Sequence, residues 1–397
     1  MRGISEMGLD FETSIPQKII FGAGRFSLLD KVMRRLGRNA LLVTGAGFPD
    51  RMRQWDDLLD ALEKEKMNVF HIEVAGEPSP EFVDGAVEKF RGTMINVVAG
   101  IGGGSALDAG KAISAMLPQK NPVIDFLEGV GTKRHNGIKV PYIAVPTTSG
   151  TGSEATKNAV LSRVGADGFK KSLRHDNLVP DVVIVDPELA ATCPGDISAA
   201  CGMDAFTQLL EAYVSTKSNP LTDALALSGI EKIAARLEWV CGAGCDDIDA
   251  RADMAYASLM SGVALANAGL GLVHGIAGPI GGFFRIPHGV ACGTLMAKAN
   301  KMTIGKLKSM EGGEGALAKF SKAGAAISGR PDAGLEEGCD LLTAKLEELT
   351  ESLKIPRLGR YGIKETDLDK IVAASDNKNN PAALDEQEMR ELLGARL

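Results

Sequence analysis

The pattern of apolar and polar positions divides the chain in two. Up to about residue 185, short unbroken apolar runs alternate with amphipathic segments. Lys18 to Gly24 predicts a short strand ending in a glycine turn, with a helix starting near Ser27. Ala40 to Gly47 predicts a parallel-type strand, because its apolar run is continuous rather than alternating and ends in glycines. The alternation continues with a helix over Trp55 to Lys66, a strand over Asn68 to Val74 and a helix from Ser79 to Arg91. Next come a strand over Met94 to Ala99, a helix over Ser105 to Met116, and strands over Pro141 to Val145 and Val182 to Val185. Strand and helix taking turns imply right-handed crossovers and a doubly wound, mainly parallel sheet, whose ligands bind at the carboxyl ends of the strands. From Ser198 onward the strand signals stop and helical periodicity takes over. The expectation is an α/β domain over 1–190 and an all-helical domain over 191–397.

Composition narrows the partners. Of 397 residues, 45% are hydrophobic and 24% charged, the balance of a globular chain with two cores. A formal charge of −7, with no basic run interleaved with aromatics, argues against nucleic acid. The opening MRGISEMGLDFETSIP has no apolar core of the secretory type, so a cytoplasmic location is expected. Residues 263 to 284 form the one candidate membrane span. His274, Asn267, Pro279 and many glycines make a buried helix pair the preferred reading. The six cysteines, at 193, 201, 241, 245, 292 and 339, follow no framework spacing and read as reduced thiols. Cys241 and Cys245 lack a second pair or a nearby histidine, and read as a surface loop.

Three stretches carry candidate chemistry. The first, Gly100-Ile-Gly-Gly-Gly-Ser105, leaves a strand and enters a helix, with capping-box spacing between Ser105 and Asp108. Glycines at 102, 103 and 104 let a phosphate approach the helix N-terminus, although the spacing matches neither G-x-G-x-x-G nor the Walker motif. The second, residues 146–154, presents five hydroxyls, from Thr147, Thr148, Ser149, Thr151 and Ser153. A solvated turn explains it alone; two such loops on one sheet could hold both ends of a nucleotide. The third, residues 263–289, carries His274 and His288 among small apolar residues. Pro279 and Pro287 argue that the two imidazoles sit on separate segments. Backbone-bonded core histidines are one explanation and metal ligands the other. The helix over Cys201 to Tyr213 has an apolar stripe of Phe206, Leu209, Leu210 and Tyr213, with Asp204 and Gln208 opposite. Those two form a solvated face, or Asp204 completes a two-imidazole, one-carboxylate set of the kind that holds Fe(II) or Zn(II).

These segments together resemble the iron-containing (group III) alcohol dehydrogenases. The likeness lies in GIGGGSALDAGKA, PTTSGTGSEAT, CGMDAFTQLLEAY and GLGLVHGIAGPIGGFFRIPHG, and the segment order agrees from end to end. The resemblance implies a dehydroquinate synthase-like fold, an NAD(P) domain followed by a helical metal domain, and substrate in the cleft between them. It implies hydride transfer between cofactor and a small primary alcohol or aldehyde, in a homodimer. By it, Gly103, Gly104 and Ser105 fall on the diphosphate loop, with Gly102 and Asp108 beside them. Thr147, Thr148 and Thr151 fall on the second cofactor loop, and Lys170 or Lys171 falls near a cofactor-contacting lysine. Asp204, His274 and His288 fall on three of four metal ligands and on the catalytic centre. The fourth ligand is usually histidine, where Gln208 stands here, a weaker donor that leaves metal occupancy in question. Gly278 replaces a histidine implicated in proton relay. Gly45 stands where NAD-preferring relatives carry an aspartate; a carboxylate there would repel a 2′-phosphate, so its absence permits NADP and tilts the expectation that way. The alternatives are a metal-independent reductase of maleylacetate reductase type and a nucleotide-binding protein without catalysis.

Overall fold

The computed structural model describes residues 10–397, so part of the N-terminal stretch read above lies outside the described residues. Six parallel strands form one sheet: β1 (Lys18–Phe21), β2 (Asn39–Gly45), β3 (Asn68–Val74), β4 (Val97–Gly102), β5 (Tyr142–Pro146) and, after a separate antiparallel hairpin of β6 (Asn158–Arg163) and β7 (Phe169–Arg174), β8 (Val182–Val185). Their spatial order is β1-β8-β5-β4-β2-β3. The chain leaves β2 toward β3 and leaves β4 toward β5 in opposite directions, so order reverses between the neighbours β2 and β4, which is where a doubly wound sheet opens a crevice at its carboxyl edge. Helices α1 (Leu29–Leu36), α2 (Trp55–Lys64), α3 (Pro80–Phe90) and α4 (Gly104–Met116) cover the two faces over separate apolar clusters. Central strands β2, β4, β5 and β8 are buried on both faces, which explains their unbroken apolar runs.

Two expectations are corrected. The strand expected over Met94 to Ala99 runs instead from Val97 to Gly102. Met94 is exposed, and the Asn96 side chain accepts from the Arg38 and Asn39 N–H groups, so 94–96 form a connector. Pairing with β5 carries β4 on through the glycines, as far as Gly102 opposite Pro146. The hairpin itself was not expected, because NAVLSR and FKKSLR are too polar to read as core strands.

The rest is helical: α5 (Gly195–Val214), α6 (Pro220–Cys241), α7 (Ile248–Ala268), α8 (Leu272–Phe283), α9 (His288–Lys308), α10 (Glu314–Ile327), α11 (Leu335–Ser352), α12 (Leu368–Ala374) and α13 (Glu386–Gly394). They share one large core, which also takes in Val183 and Val185 of β8 and Ala155 of the second loop. Helix α5 lies at its centre: Phe206, Leu209, Leu210 and Tyr213 are buried, as the stripe requires. Pro279 does not break the chain as expected; it lies inside α8. The break falls at residues 284–287, where Pro287 precedes the first residue of α9. No single described helix is long and apolar enough to cross a membrane; α7 and α8 pass a length-and-composition test only as a pair bent by 99°.

Candidate active site

A cavity of about 2110 Å³ opens between the carboxyl edge of the sheet and helices α5, α8 and α9. Gly45, Gly103, Gly104, Ser105, Asp108, Thr148, Thr151 and Lys170 line one side of it, and Asp204, Gln208, His274, Gly278 and His288 the other. Gly102 and Thr147 do not line it. They join the two loops instead, through Thr147 N–H donating to the Gly102 carbonyl at 3.0 Å. Gly102, at φ +148°, makes the exit turn of β4 against Ala106.

The loops are built against each other. A Cβ on Gly104 would stand 2.6 Å from Thr151 Cγ2, so this glycine serves loop packing as well as ligand approach. The capping box expected between Ser105 and Asp108 does not form: Gly103 is the N-cap of α4, without a side-chain cap. The Asp108 carboxylate is taken by Ser153 Oγ–H and by Val160 N–H at 3.0 Å, which bind the second loop and the hairpin to α4. Lys111 does the rest. Fully buried, its ammonium donates to the carbonyls of Ser153 (2.7 Å), Thr156 (3.0 Å) and Asn158 (2.8 Å). Burial pulls its pKa down to about 8, against Asp108 and Glu154, whose charges raise it. Lys170 reaches the cavity from β7 and pairs with Glu77. The hairpin that carries it is held to α8 by Gly165 N–H donating to the Gly282 carbonyl at 3.1 Å.

Across the cavity three helices converge. Asp204 Oδ1 lies 3.3 Å from His274 Nε2 and 3.9 Å from His288 Nε2. Asp204 is 1% exposed, so its face of α5 is not solvated. Burial opposes its charge, yet the adjoining His288 and His274 imidazoles hold its carboxyl down to about 2. Two residues that sequence reasoning passed over complete the cluster. Glu211, on the same face as Asp204 and Gln208, accepts from His274 Nδ1 at 2.7 Å and from Val273 N–H at 2.6 Å. A carboxylate behind an imidazole fixes its tautomer and turns the other nitrogen toward a metal. Cys292, one turn after His288 on α9, brings Sγ to 3.6 Å from His274 Nε2 and 3.7 Å from His288 Nε2. The four ligand atoms of Asp204, His274, His288 and Cys292 all lie within 4.8 Å of one another. Both signals were in the sequence, as i+7 from Asp204 and i+4 from His288. Burial lowers the His288 pKa, helped by the Lys170 charge; burial also opposes charge on His274, but Cys292 and Glu211 draw its pKa up. Burial pushes the Cys292 thiol up to about 12 against the His274 charge.

Gln208 is buried one turn beyond Asp204, and its Oε1 accepts from Ser261 Oγ at 2.9 Å. At Gly278 a Cβ would meet nothing within 4 Å, so the cavity is open there. The buried Asp204 Oδ1 and His288 Nδ1 have no hydrogen-bond partner. An unpartnered carboxylate oxygen facing two imidazoles fits a cation and is costly without one.

A parallel sheet with glycine and hydroxyl loops near its switch point faces a carboxylate and two imidazoles across one cavity, an arrangement with room for a nucleotide on one wall and donors for a cation on the other. The comparisons agree. Residues 16–187 match the family model for iron-containing alcohol dehydrogenase, and residues 198–397 match the C-terminal model of the Fe-containing alcohol dehydrogenase family. The NADPH-dependent butanol dehydrogenase of Clostridium saccharobutylicum is 31% identical over 389 residues, 96% of each chain. The 1,3-propanediol dehydrogenase of Citrobacter freundii is 32% identical over 392 residues, 96% of this chain and 97% of that one. The crystal structure of a 1,3-propanediol oxidoreductase superposes with a TM-score of 0.87 at 29% identity, covering 98% of this chain and all of that one. The chain belongs to the iron-containing alcohol dehydrogenase family. It is an alcohol oxidoreductase, and its family implies NAD(P) and a metal.

Proposed function

We propose that this protein interconverts a small primary alcohol and its aldehyde with NADP(H), using a metal held by Asp204, His274 and His288, in a cytoplasmic homodimer. In this reading residues 1–190 hold the dinucleotide and 191–397 the metal and substrate. The observation that carries it is the convergence of those three side chains on the cavity wall opposite the glycine loops. A bound NAD(P)+ would supply the hydride acceptor, and a metal held by Asp204, His274 and His288 would supply a Lewis acid for the substrate oxygen.

The chain's own residues set up the rest. Gly103, Gly104 and Ser105 present the N-terminus of α4 to the diphosphate, where N–H groups and the helix dipole favour negative charge. Thr148 and Thr151 offer hydroxyls beside it, with Thr147 and Gly102 holding the loops together. Lys170 adds a positive charge on the hairpin side. With a metal bound, Glu211 would keep the His274 proton on Nδ1 and leave Nε2 facing the centre as a lone pair. No imidazole stands at 278, so water in the open space there or a cofactor ribose hydroxyl would have to carry the alcohol proton. Support for NADP comes from Gly45, which puts no carboxylate at the end of β2, and from Arg51, which lines the cavity and donates to the Ala46 and Gly47 carbonyls. Support for a dimer comes from the edge strand β1, where Ile19 and Phe21 are 40% and 37% exposed. All six cysteines are free, as a reducing compartment keeps them.

Metal analysis of protein purified without chelator, combined with dinucleotide titration of His288→Ala, tests this reading. The variant is expected to lose metal and turnover while dinucleotide affinity stays nearly constant. Undiminished turnover would reject metal-assisted chemistry.

A further inference from the structure

The donor set at the metal position is not the one Gln208 would complete. Gln208 Oε1 is turned to Ser261 Oγ at 2.9 Å, where it shares that hydroxyl's single proton with the Ser258 carbonyl at 2.8 Å. On the far side of the cluster, Cys292 Sγ stands 3.6 and 3.7 Å from the two imidazole Nε2 atoms. One S–H can serve only one of those nitrogens. His274 Nδ1 lies 2.7 Å from Glu211, so in the neutral ring that a metal requires the proton sits on Nδ1 and Nε2 is an acceptor, facing Asp204 Oδ1, an acceptor without a partner. Lone pairs turned toward a common point with too few protons between them call for a cation.

The spacing agrees. Bonds of about 2.0–2.3 Å from zinc to nitrogen, oxygen and sulfur correspond, at tetrahedral angles, to donor separations of about 3.3–3.8 Å. Four of the six donor separations run from 3.3 Å for Asp204–His274, through 3.6 and 3.7 Å for sulfur to the two imidazoles, to 3.9 Å for Asp204–His288, and the remaining two are within 4.8 Å. Cys292 is fully buried and, unlike Asp204, Gln208, His274 and His288, does not line the cavity. It closes the back of the centre, so a substrate oxygen arriving from the cavity would enter as a fifth donor.

We propose that Cys292 is the fourth metal ligand of this protein, giving an Asp204, His274, His288, Cys292 centre that prefers zinc to iron. This rests on the metal-assisted reading above. On binding, the thiol S–H bond breaks, sulfur keeps the electron pair for the metal, and the proton leaves to solvent. A thiolate donor makes the set softer and favours Zn(II) over Fe(II).

Cobalt(II) titration of the metal-stripped full-length protein tests it without reference to turnover. Wild type is expected to show an intense near-ultraviolet thiolate-to-cobalt charge-transfer band with the visible bands of a tetrahedral ion. Cys292→Ser, close in size, should lose the ultraviolet band and bind cobalt about tenfold or more weaker by chelator competition, since even outer partners of a ligand are worth that much. Gln208→Ala should keep the band. Stoichiometric cobalt binding by wild type without the band overturns the thiolate ligand and leaves the proposed function standing; no cobalt binding at all overturns both. A band that survives in Cys292→Ser also refutes the assignment.

Discussion

Arg51 shows how much one side chain can decide. It is exposed and lines the cavity beside Gly45, whereas Glu73, which accepts from Gly47 N–H at 3.1 Å, does not line it. A 2′-phosphate would meet the cation before the carboxylate. Arg51→Ala is therefore expected to raise the KM for NADPH about tenfold, the worth of a charged hydrogen bond, with the KM for NADH little changed. Steady-state kinetics with both cofactors reads the ratio. Glu154 is a second such residue. Burial raises its carboxyl from 4.5 to about 7, against its own backbone hydrogen bond and the Lys111 charge. Between pH 4.5 and 7 the native chain keeps a proton that the unfolded chain has released. Stability therefore falls as pH rises through that window, by up to about 3 kcal/mol. Glu154→Gln mimics the protonated form and should flatten the dependence of Tm on pH there; an unchanged slope would show that this carboxyl titrates elsewhere. Neither residue stood out in the sequence. Exposure, burial and the neighbourhood of a charge belong to the folded chain, and identity alone carries none of them.

Between elements, the second cofactor loop depends on glycines meeting backbone to backbone. Gly152, at φ +60°, touches α7 at Gly262, where a Cβ would lie 2.0 Å from the Gly152 carbonyl oxygen. Gly262→Ala must push the loop off the helix. It should cost about 3 kcal/mol, the scale of an overpacked core, and weaken dinucleotide binding along with Tm. Thermal denaturation with and without cofactor separates the two effects; a variant as stable and as tight as wild type would show that the contact yields freely. Strand positions were legible where a buried parallel strand must be apolar on both faces: β2, β5 and β8 fall within about two residues of expectation, and so does the half-buried edge strand β3. The hairpin was not legible, because one of its strands, β7, carries Lys170 and Lys171 toward the cavity and reads as polar. Likewise Ser105 and Asp108 have the letters of a capping box, but Asp108 is drawn away by Ser153 and Val160, partners 45 and 52 residues distant.

At the scale of the whole molecule, the donors come from three helices, Asp204 from α5, His274 from α8 and Cys292 with His288 from α9. A metal there ties all three together and stabilises the folded state alone. At a free concentration about 100 times Kd it adds about 2.7 kcal/mol. Scanning calorimetry should show Tm falling on EDTA treatment and recovering with zinc, with His288→Ala insensitive to both; a Tm indifferent to metal in wild type would mean the cluster holds none. The order of elements, the apolar stripes and the residues able to bind phosphate or metal were determined by the sequence itself, because periodicity and donor chemistry are properties of the residue string. Which donors meet was decided only in three dimensions. Gln208 turns to Ser261 and Cys292 turns to the imidazoles because α7 and α9 both pack on α5, and that packing is a contest among the apolar contacts of the entire helical core, which no local stretch records.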